Sequence, residues 1–542
     1  MVLILLLAVV VSAFVARLLP LRIPPPLLQI ALGTGMFYAG FQVTFDSHLF
    51  LLFFIPPLLF LDGYRIPKGA FFRDWKPILA LAIGLVVFTV VGVGLFAHWL
   101  IPAIPPAVAF ALAAILSPTD PVAVGAMTAS TPLPSRLMHI LEGEALLNDA
   151  TGLVCFSFAV VAADTGRFSL PRAGVSFALI AGGGVVVGVV VTAVVGKLNR
   201  LLVRRAGEEP STQILISLLI PFAAYLAGEA VHVSGILAAA VAGFGMHYAE
   251  LAGRASAATR MQRTAVWNTV QAALNGIIFV LLGEQLPILV RDLPDAVAGA
   301  GASHALHLLG FAAALTLALG VLRFVWVWIS MRLTILGAAR RGQMKSMPQL
   351  RLVAVTATAG VRGAITLAGI LTLPVLTSAG VPFPARDVVI SLAMAVILLS
   401  LLFASIGLPL LTRGLAAGLP ERHRQRGEAA ARVAAAEAAM RRIEQLVATP
   451  EPDANAAAAR DAASMRLLER YRRRLEYGGP SEDAAEARLT AEASRNLRVQ
   501  ALRAERDELF RLRRAGSIDD DVHRQLVREI DLVETSLTLP EQ

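Results

Sequence analysis

Apolar runs of membrane-crossing length recur along this chain, and they constrain its fold more than any single motif does. Thirteen of them, broken by Pro, Gly and charge clusters, fall at roughly 2–19, 23–43, 47–63, 77–101, 105–130, 137–163, 173–197, 211–229, 232–250, 264–290, 304–331, 350–376 and 386–414. A helix needs about 20 apolar residues to cross a bilayer. Composition agrees: of 542 residues, 56% are hydrophobic and 16% charged, where a soluble domain is about half apolar and a quarter charged. The chain reads as an all-α polytopic membrane protein of about 13 transmembrane helices. Met1 leads directly into the first run, which reads as a membrane helix rather than a cleaved signal peptide.

Charge placement predicts the orientation. One alternate set of loops holds 19 Lys or Arg, from Arg17 and Arg22 through Lys197, Arg200, Arg204 and Arg205 to Arg351, and the other holds only Arg167, Arg172, Arg291 and Arg386. By the positive-inside rule the N-terminus lies outside and the tail in the cytoplasm. Residues 1–420 carry 26 basic and 16 acidic side chains, so the basic balance belongs to the membrane part and calls for no nucleic acid. After Pro420 the chain turns to mixed Arg, acid, Ala and Leu with helical spacing. The expected division is a transmembrane domain over 1–415 and a helical cytoplasmic domain over 416–542, regulatory or dimer-stabilising.

Two runs are interrupted. Ser117-Pro118-Thr119-Asp120-Pro121 sits near the centre of the fifth, and Gly360-Val361-Arg362-Gly363 within the twelfth. Prolines remove backbone donors, and unwound backbone in lipid must face protein or a water-filled cavity. A pair of broken helices in corresponding places of two halves points to a transporter built of inverted repeats.

Ionisable groups inside a membrane are costly, and each is a functional candidate. The membrane part holds Asp62, Asp120, Glu142, Glu144, Asp149, Arg323 and Arg362. In Glu142-Gly143-Glu144-Ala145-Leu146-Leu147-Asn148-Asp149, helical spacing puts Glu144 and Asn148 one turn apart, with Asp149 deepest. A carboxylate there can hold a proton and a monovalent cation by turns, and competition for one site exposed alternately to the two sides suffices for exchange. Asp120 is expected mainly to hold the break, with Thr119 offering its hydroxyl or carbonyl to the ion. Arg362 is always ionised and needs a counter-charge; Glu144 is the expected partner, with Glu142 second. Arg323 is open between snorkelling, stacking on its aromatic neighbours and a direct role. Asp62 either lines the ion entrance or pairs with Arg65. Cys155 reads as a packed small residue, and the histidines show no metal spacing. No P-loop, dinucleotide fingerprint or Ser/His/Asp arrangement appears, so neither an enzyme nor a bound cofactor is expected.

Ser117-Pro118-Thr119-Asp120-Pro121-Val122-Ala123-Val124, Glu142 to Asp149, and Gly360-Val361-Arg362-Gly363-Ala364 together resemble the NhaP-like sodium/proton exchanger branch of the monovalent cation:proton antiporters. Pro56-Pro57-Leu58-Leu59-Phe60 resembles that family's third helix, and the likeness spans about residues 5–415. The resemblance implies a homodimer in a bacterial inner (plasma) membrane, with crossed broken helices five and twelve. Asp149 would carry ion and proton beside Asn148 and Thr119, and Glu144 with Arg362 would form a stabilising pair. An Asn-Asp motif is similar to that of electroneutral exchangers, which implies one sodium per proton. Two departures touch the ion shell. Ala145 stands where many relatives have serine, and Asp62 lies one residue beyond the position, here Leu61, where some carry glutamate. Lithium or potassium as the cation, a passive channel and a membrane sensor remain open readings of the residues.

Overall fold

The computed structural model describes residues 2–18, 23–41, 47–128, 133–166, 170–251, 256–291, 305–339, 350–413, 421–448, 454–477, 482–515 and 520–538. Among them the secondary structure is helical, with one isolated bridge between Leu376 and Pro382. In order the helices are α1 (Val2–Leu18), α2 (Pro25–Tyr38), α3 (Ser47–Arg65), α4 (Lys68–Arg73), α5 (Trp75–Leu79), α6 (Val86–Leu100), α7 (Pro106–Leu116), α8 (Pro121–Met127), α9 (Ser135–Thr165) and α10 (Leu170–Ala206). They continue with α11 (Pro210–Ala230), α12 (Gly235–Leu251), α13 (Ala257–Arg291), α14 (Ala305–Ala339), α15 (Leu350–Thr358), α16 (Ala364–Leu371) and α17 (Arg386–Thr412). The last four are α18 (Glu421–Val447), α19 (Ala454–Tyr477), α20 (Glu482–Arg514) and α21 (Asp520–Thr538).

Each of the thirteen apolar runs falls on a helix or on consecutive helices. Among the described residues, seven stretches are long and apolar enough to cross a membrane, and eight if the bent pair α7–α8 is one span. Leu3–Leu18 and Gly235–His247 are apolar but shorter. Among the described residues, length and composition alone therefore identify seven or eight crossings and do not confirm the expected count of thirteen. The chain divides into two compact units, Met1–Gly418 and Leu419–Gln542.

Local chemistry explains the main irregularities of the first unit. A π-helical turn, Ala80–Leu85, joins α5 to α6, and such turns leave carbonyls without their usual partners. The Trp326 indole of α14 fills the gap: its Nε1 donates to the Ala80 carbonyl at 3.0 Å. At the end of α3, the Lys68 ammonium donates to the carbonyls of Gly63, Tyr64 and Ile66 at 2.6, 3.0 and 3.0 Å. That is the polarity a helix C-terminus favours.

Two helix pairs pack with their backbones almost touching. α2 lies along α13 and α3 along α12. A Cβ at Gly33 would sit 1.9 Å from the Val280 carbonyl oxygen, and one at Gly283 would sit 1.9 Å from that of Ile30. The second pair repeats this, with Gly63 at 2.1 Å from the Ala240 oxygen and Gly243 at 1.9 Å from that of Phe60. Each glycine stands three residues after the carbonyl that meets its counterpart. The two contacts are one contact made twice, as inverted repeats that match α2 with α12 and α3 with α13 require. Small residues are what permit such an approach in a membrane, where packing drives helix association.

In the second unit, α18 packs on α19 and α20 on α21. Leu502 and Ile530 are buried between the latter two, and Arg506 pairs with Asp531 at 2.6 Å and with Glu534.

Candidate cation-binding site at the two helix breaks

The breaks expected at the fifth and twelfth runs meet. α7 and α8 are bent by 49° about Ser117–Asp120, and residues 359–363 separate α15 from α16. The Asp120 amide donates to the Val361 carbonyl at 2.8 Å, so one interruption is hydrogen-bonded to the other. Four half-helix ends converge here, and each meets a side chain of opposite sign or a backbone partner. Asp120 is the N-cap of α8, its Oδ1 accepting from the Val122 and Ala123 amides at 2.9 and 3.2 Å. Gly363 starts α16, and a Cβ there would lie 2.1 Å from Asp120 Oδ2. One carboxylate therefore faces two helix N-termini, where the dipoles favour negative charge.

Arg362 serves the opposite ends. Its Nε donates to the Leu116 carbonyl, the last of α7, at 2.8 Å, and its Nη1 to the Gly360 carbonyl. Its own amide donates to the Ser400 hydroxyl of α17 at 3.1 Å. These carbonyls are orphaned by the breaks, so the guanidinium replaces the helical donors that the prolines and glycines removed.

The expected Glu144–Arg362 pair does not form. Glu144 is bound instead by Arg323 of α14, Nη1 to Oε1 at 2.5 Å and Nη2 to Oε2 at 2.7 Å. Arg323 Nε also donates to the Thr356 carbonyl in the last turn of α15 at 3.0 Å. The physical reason is reach. Arg362 is spent on the carbonyls beside it, while Glu144 faces α14 rather than the unwound segment. Arg323 is 2% exposed and its guanidinium is committed to Glu144 and the Thr356 carbonyl, so it does not snorkel. Glu142, the second-choice partner, makes no ion pair with Arg362 either; it lies within Coulombic range of Arg65.

Around this frame sit the groups free to bind. Asn148 donates through Nδ2 to Thr119 Oγ1 at 3.0 Å, while its buried Oδ1 has no hydrogen-bond partner. The Ser117 hydroxyl is buried and unpartnered as well. Asp149 is 5% exposed and forms neither a hydrogen bond nor an ion pair with any described residue. It lies within Coulombic range of Asp62, Asp120 and Glu144. Asp62 in turn senses Asp120, Glu142 and Arg65 through space. Arg65 itself bridges to α13, donating to Asn268 Oδ1 at 2.5 Å and to Gln271. Among the described residues no group of three or more His, Cys, Asp or Glu could hold a metal ion. The available donors are a carboxylate, a hydroxyl and an amide oxygen, all hard ligands of the kind an alkali cation takes.

Of the residues singled out from sequence, Asn148 is bonded to Thr119 beside Asp120, and Asp149 lies within Coulombic range of Asp120. Sequence reasoning missed Ser400, which carries no charge or motif to mark it. It also gave Glu144 the wrong arginine, although Arg323 was the other guanidinium at mid-helix.

The family model for the sodium/hydrogen exchanger transmembrane region matches residues 4–414. The chain is 38% identical to the uncharacterized Na(+)/H(+) exchanger YjcE of Escherichia coli K12, over 99% of this chain and 98% of that protein. It is 42% identical to the sodium, potassium, lithium and rubidium/H(+) antiporter of Bacillus subtilis, over 76% of this chain and 61% of that protein. In fold it is similar to the sodium proton antiporter MjNhaP1 of Methanocaldococcus jannaschii, with a TM-score of 0.57 at 19% identity over 77% of this chain and 99% of that one. Linked helix breaks, an unpartnered buried aspartate beside them and a match across the whole membrane unit lead to one assignment: the chain belongs to the sodium/hydrogen exchanger family.

Proposed function

We propose that this chain is a secondary antiporter that exchanges Na+ for protons one for one, with Asp149 carrying each in turn by alternating access. The observation that carries this reading is the state of the Asp149 carboxylate: buried, and without a hydrogen bond or ion pair. An ionised carboxylate taken out of water needs a partner, and here the partner is supplied from outside, as a cation or as a proton. Thr119 Oγ1, Asn148 Oδ1 and Asp149 together offer the cation its oxygen ligands.

The way the neighbouring charges are used supports this stoichiometry. Asp120 is committed to capping, Glu144 to Arg323, and Arg362 to carbonyls. Asn148 beside Asp149 is neutral, which favours one charge exchanged for one charge at this pair. The loop charges support an outside N-terminus and a cytoplasmic tail in a bacterial plasma membrane. Family membership supports a homodimer.

The cation is the open choice. The Bacillus subtilis relative, named for sodium, potassium, lithium and rubidium, favours a site that admits several alkali ions, and Ala145 removes a hydroxyl that would tighten it. Purified protein in liposomes, with lumenal pH followed as each cation is added outside, tests both points. Cation-driven proton flux that an imposed voltage leaves unchanged is expected. No proton movement with any cation would turn the reading to a passive channel or a sensor.

A further inference from the structure

α10 has two unlike faces. Gly188 packs on the Ala238 carbonyl, Thr192 donates to the Ala242 carbonyl at 3.3 Å, and Asn199 and Gln213 bind each other reciprocally at 2.7 and 2.8 Å. These contacts fix that side of α10 against α11 and α12. At 100° per residue the opposite side runs through Leu179, Val186 and Val190 to Lys197, Arg200 and Arg204. The three aliphatic side chains are 67%, 60% and 52% exposed. Lys197, Arg200 and Arg204, with Leu201 between them, line a shallow, open depression at the end of this apolar face.

None of the three cations forms an ion pair or side-chain hydrogen bond with a described residue. Several other basic groups of the same loop set are engaged instead. Arg136 is bound by Asp74, Arg65 by Asn268 and Gln271, Lys68 by three carbonyls, and Arg351 by the Leu411 carbonyl. An apolar strip ending in three clustered, uncompensated cations is complementary to one kind of molecule, an acyl chain that ends in an anionic headgroup. A second copy of this chain fits poorly, because two-fold pairing through this face would bring its cations against themselves.

We propose that Lys197, Arg200 and Arg204 form a binding site for the headgroup phosphate of an anionic phospholipid, whose acyl chains lie along Val186 and Val190. The site is distinct from the exchange site and does not depend on which cation is carried. Clustered basic residues at a membrane surface hold anionic lipids, and each contributes roughly fivefold in affinity.

The full chain, purified in detergent, is titrated with phosphatidylglycerol or phosphatidylcholine and read by native mass spectrometry and melting temperature. Selective retention of phosphatidylglycerol, with a higher melting temperature, is expected. The triple change Lys197→Gln, Arg200→Gln and Arg204→Gln should weaken retention by roughly 100-fold, while Arg17→Gln with Lys76→Gln should leave it unchanged. All three side chains are exposed, so single changes fold normally and each should give a partial loss. Equal retention of both lipids, or undiminished retention in the triple variant, overturns the proposal. So does stabilisation by inorganic phosphate alone, which would make the site one for free anions. A triple variant that loses self-association while keeping its lipid would assign the face to a second copy and overturn it too.

Discussion

Arg323 of α14 grips Glu144 of α9 with both guanidinium prongs, at 2.5 and 2.7 Å, and its remaining Nε–H holds the Thr356 carbonyl of α15. One side chain thus ties three helices together directly behind the site. Both partners are almost wholly buried, at 2% and 1% exposure. Removing one side of such a pair leaves an uncompensated charge, which typically costs about 3–5 kcal/mol. Arg323→Ala and Glu144→Ala should each lower the melting temperature sharply in detergent. The apolar double variant Glu144→Leu with Arg323→Met should recover much of the loss. A double variant no more stable than either single would show that the pair does more than neutralise itself.

Asp149→Asn keeps the size and polarity of the side chain and removes its negative charge. Exchange should fall to background in proteoliposomes, with the yield and melting temperature of the protein little changed. The conservative Asp149→Glu should retain some activity with altered ion preference, because the carboxylate survives but shifts. Exchange at the wild-type rate by Asp149→Asn would remove this residue from the mechanism.

Gly363 has no room for a side chain. A Cβ would come within 2.1 Å of Asp120 Oδ2, displacing the carboxylate that caps α8. Overpacking of this kind costs about 1–3 kcal/mol, and here it also disturbs the break that positions Thr119. Gly363→Ala should therefore lose stability and transport together. Gly310→Ala in α14, where a Cβ would meet nothing within 4 Å, should behave as wild type in both assays.

Asp74, at the start of α5, links to Arg136 of α9 at 2.7 Å and to Arg73 at 3.2 Å. Burial by itself pushes this carboxyl up, but the hydrogen bonds and charges of the two arginines outweigh it and hold it below the usual carboxylate range. A depressed carboxyl contributes stability above its unfolded value, near pH 4, and loses that contribution as pH falls through the folded value. Arg136→Gln should therefore melt at a lower temperature than wild type between pH 5 and 7. The gap should close under more acidic conditions. Melting curves across that range check it, and a gap that widened on acidification would contradict the assignment.

Thr119 holds the Asn148 amide at 3.0 Å. Thr119→Val removes that acceptor and a proposed cation ligand at once, so the cation concentration for half-maximal exchange should rise by about tenfold, the effect of one lost hydrogen bond to a buried group. Thr119→Ser, which keeps the oxygen, should stay close to wild type.

Much of this protein was determined locally. The apolar runs, the two breaks and the carboxylates of α9 follow from residues close in sequence: prolines that cannot donate, glycines that loosen a helix, and spacings that put Glu144, Asn148 and Asp149 on adjacent faces. Those features point to a transporter and make Asp149 its candidate carrier, because a helix converts sequence separation directly into position. Which arginine neutralises which carboxylate could not be read that way. Arg323 and Arg362 are equally charged and equally buried in the sequence pattern, and Glu144 is 179 residues from the first. Only the tertiary placement that lets Arg323 reach from α14 to Glu144, and the orphaned carbonyls of Leu116 and Gly360 that claim Arg362, separated them. The near-contact of Gly33 with α13 and of Gly63 with α12 belongs to the same class, since what makes each glycine necessary is a backbone that arrives from the other half of the chain.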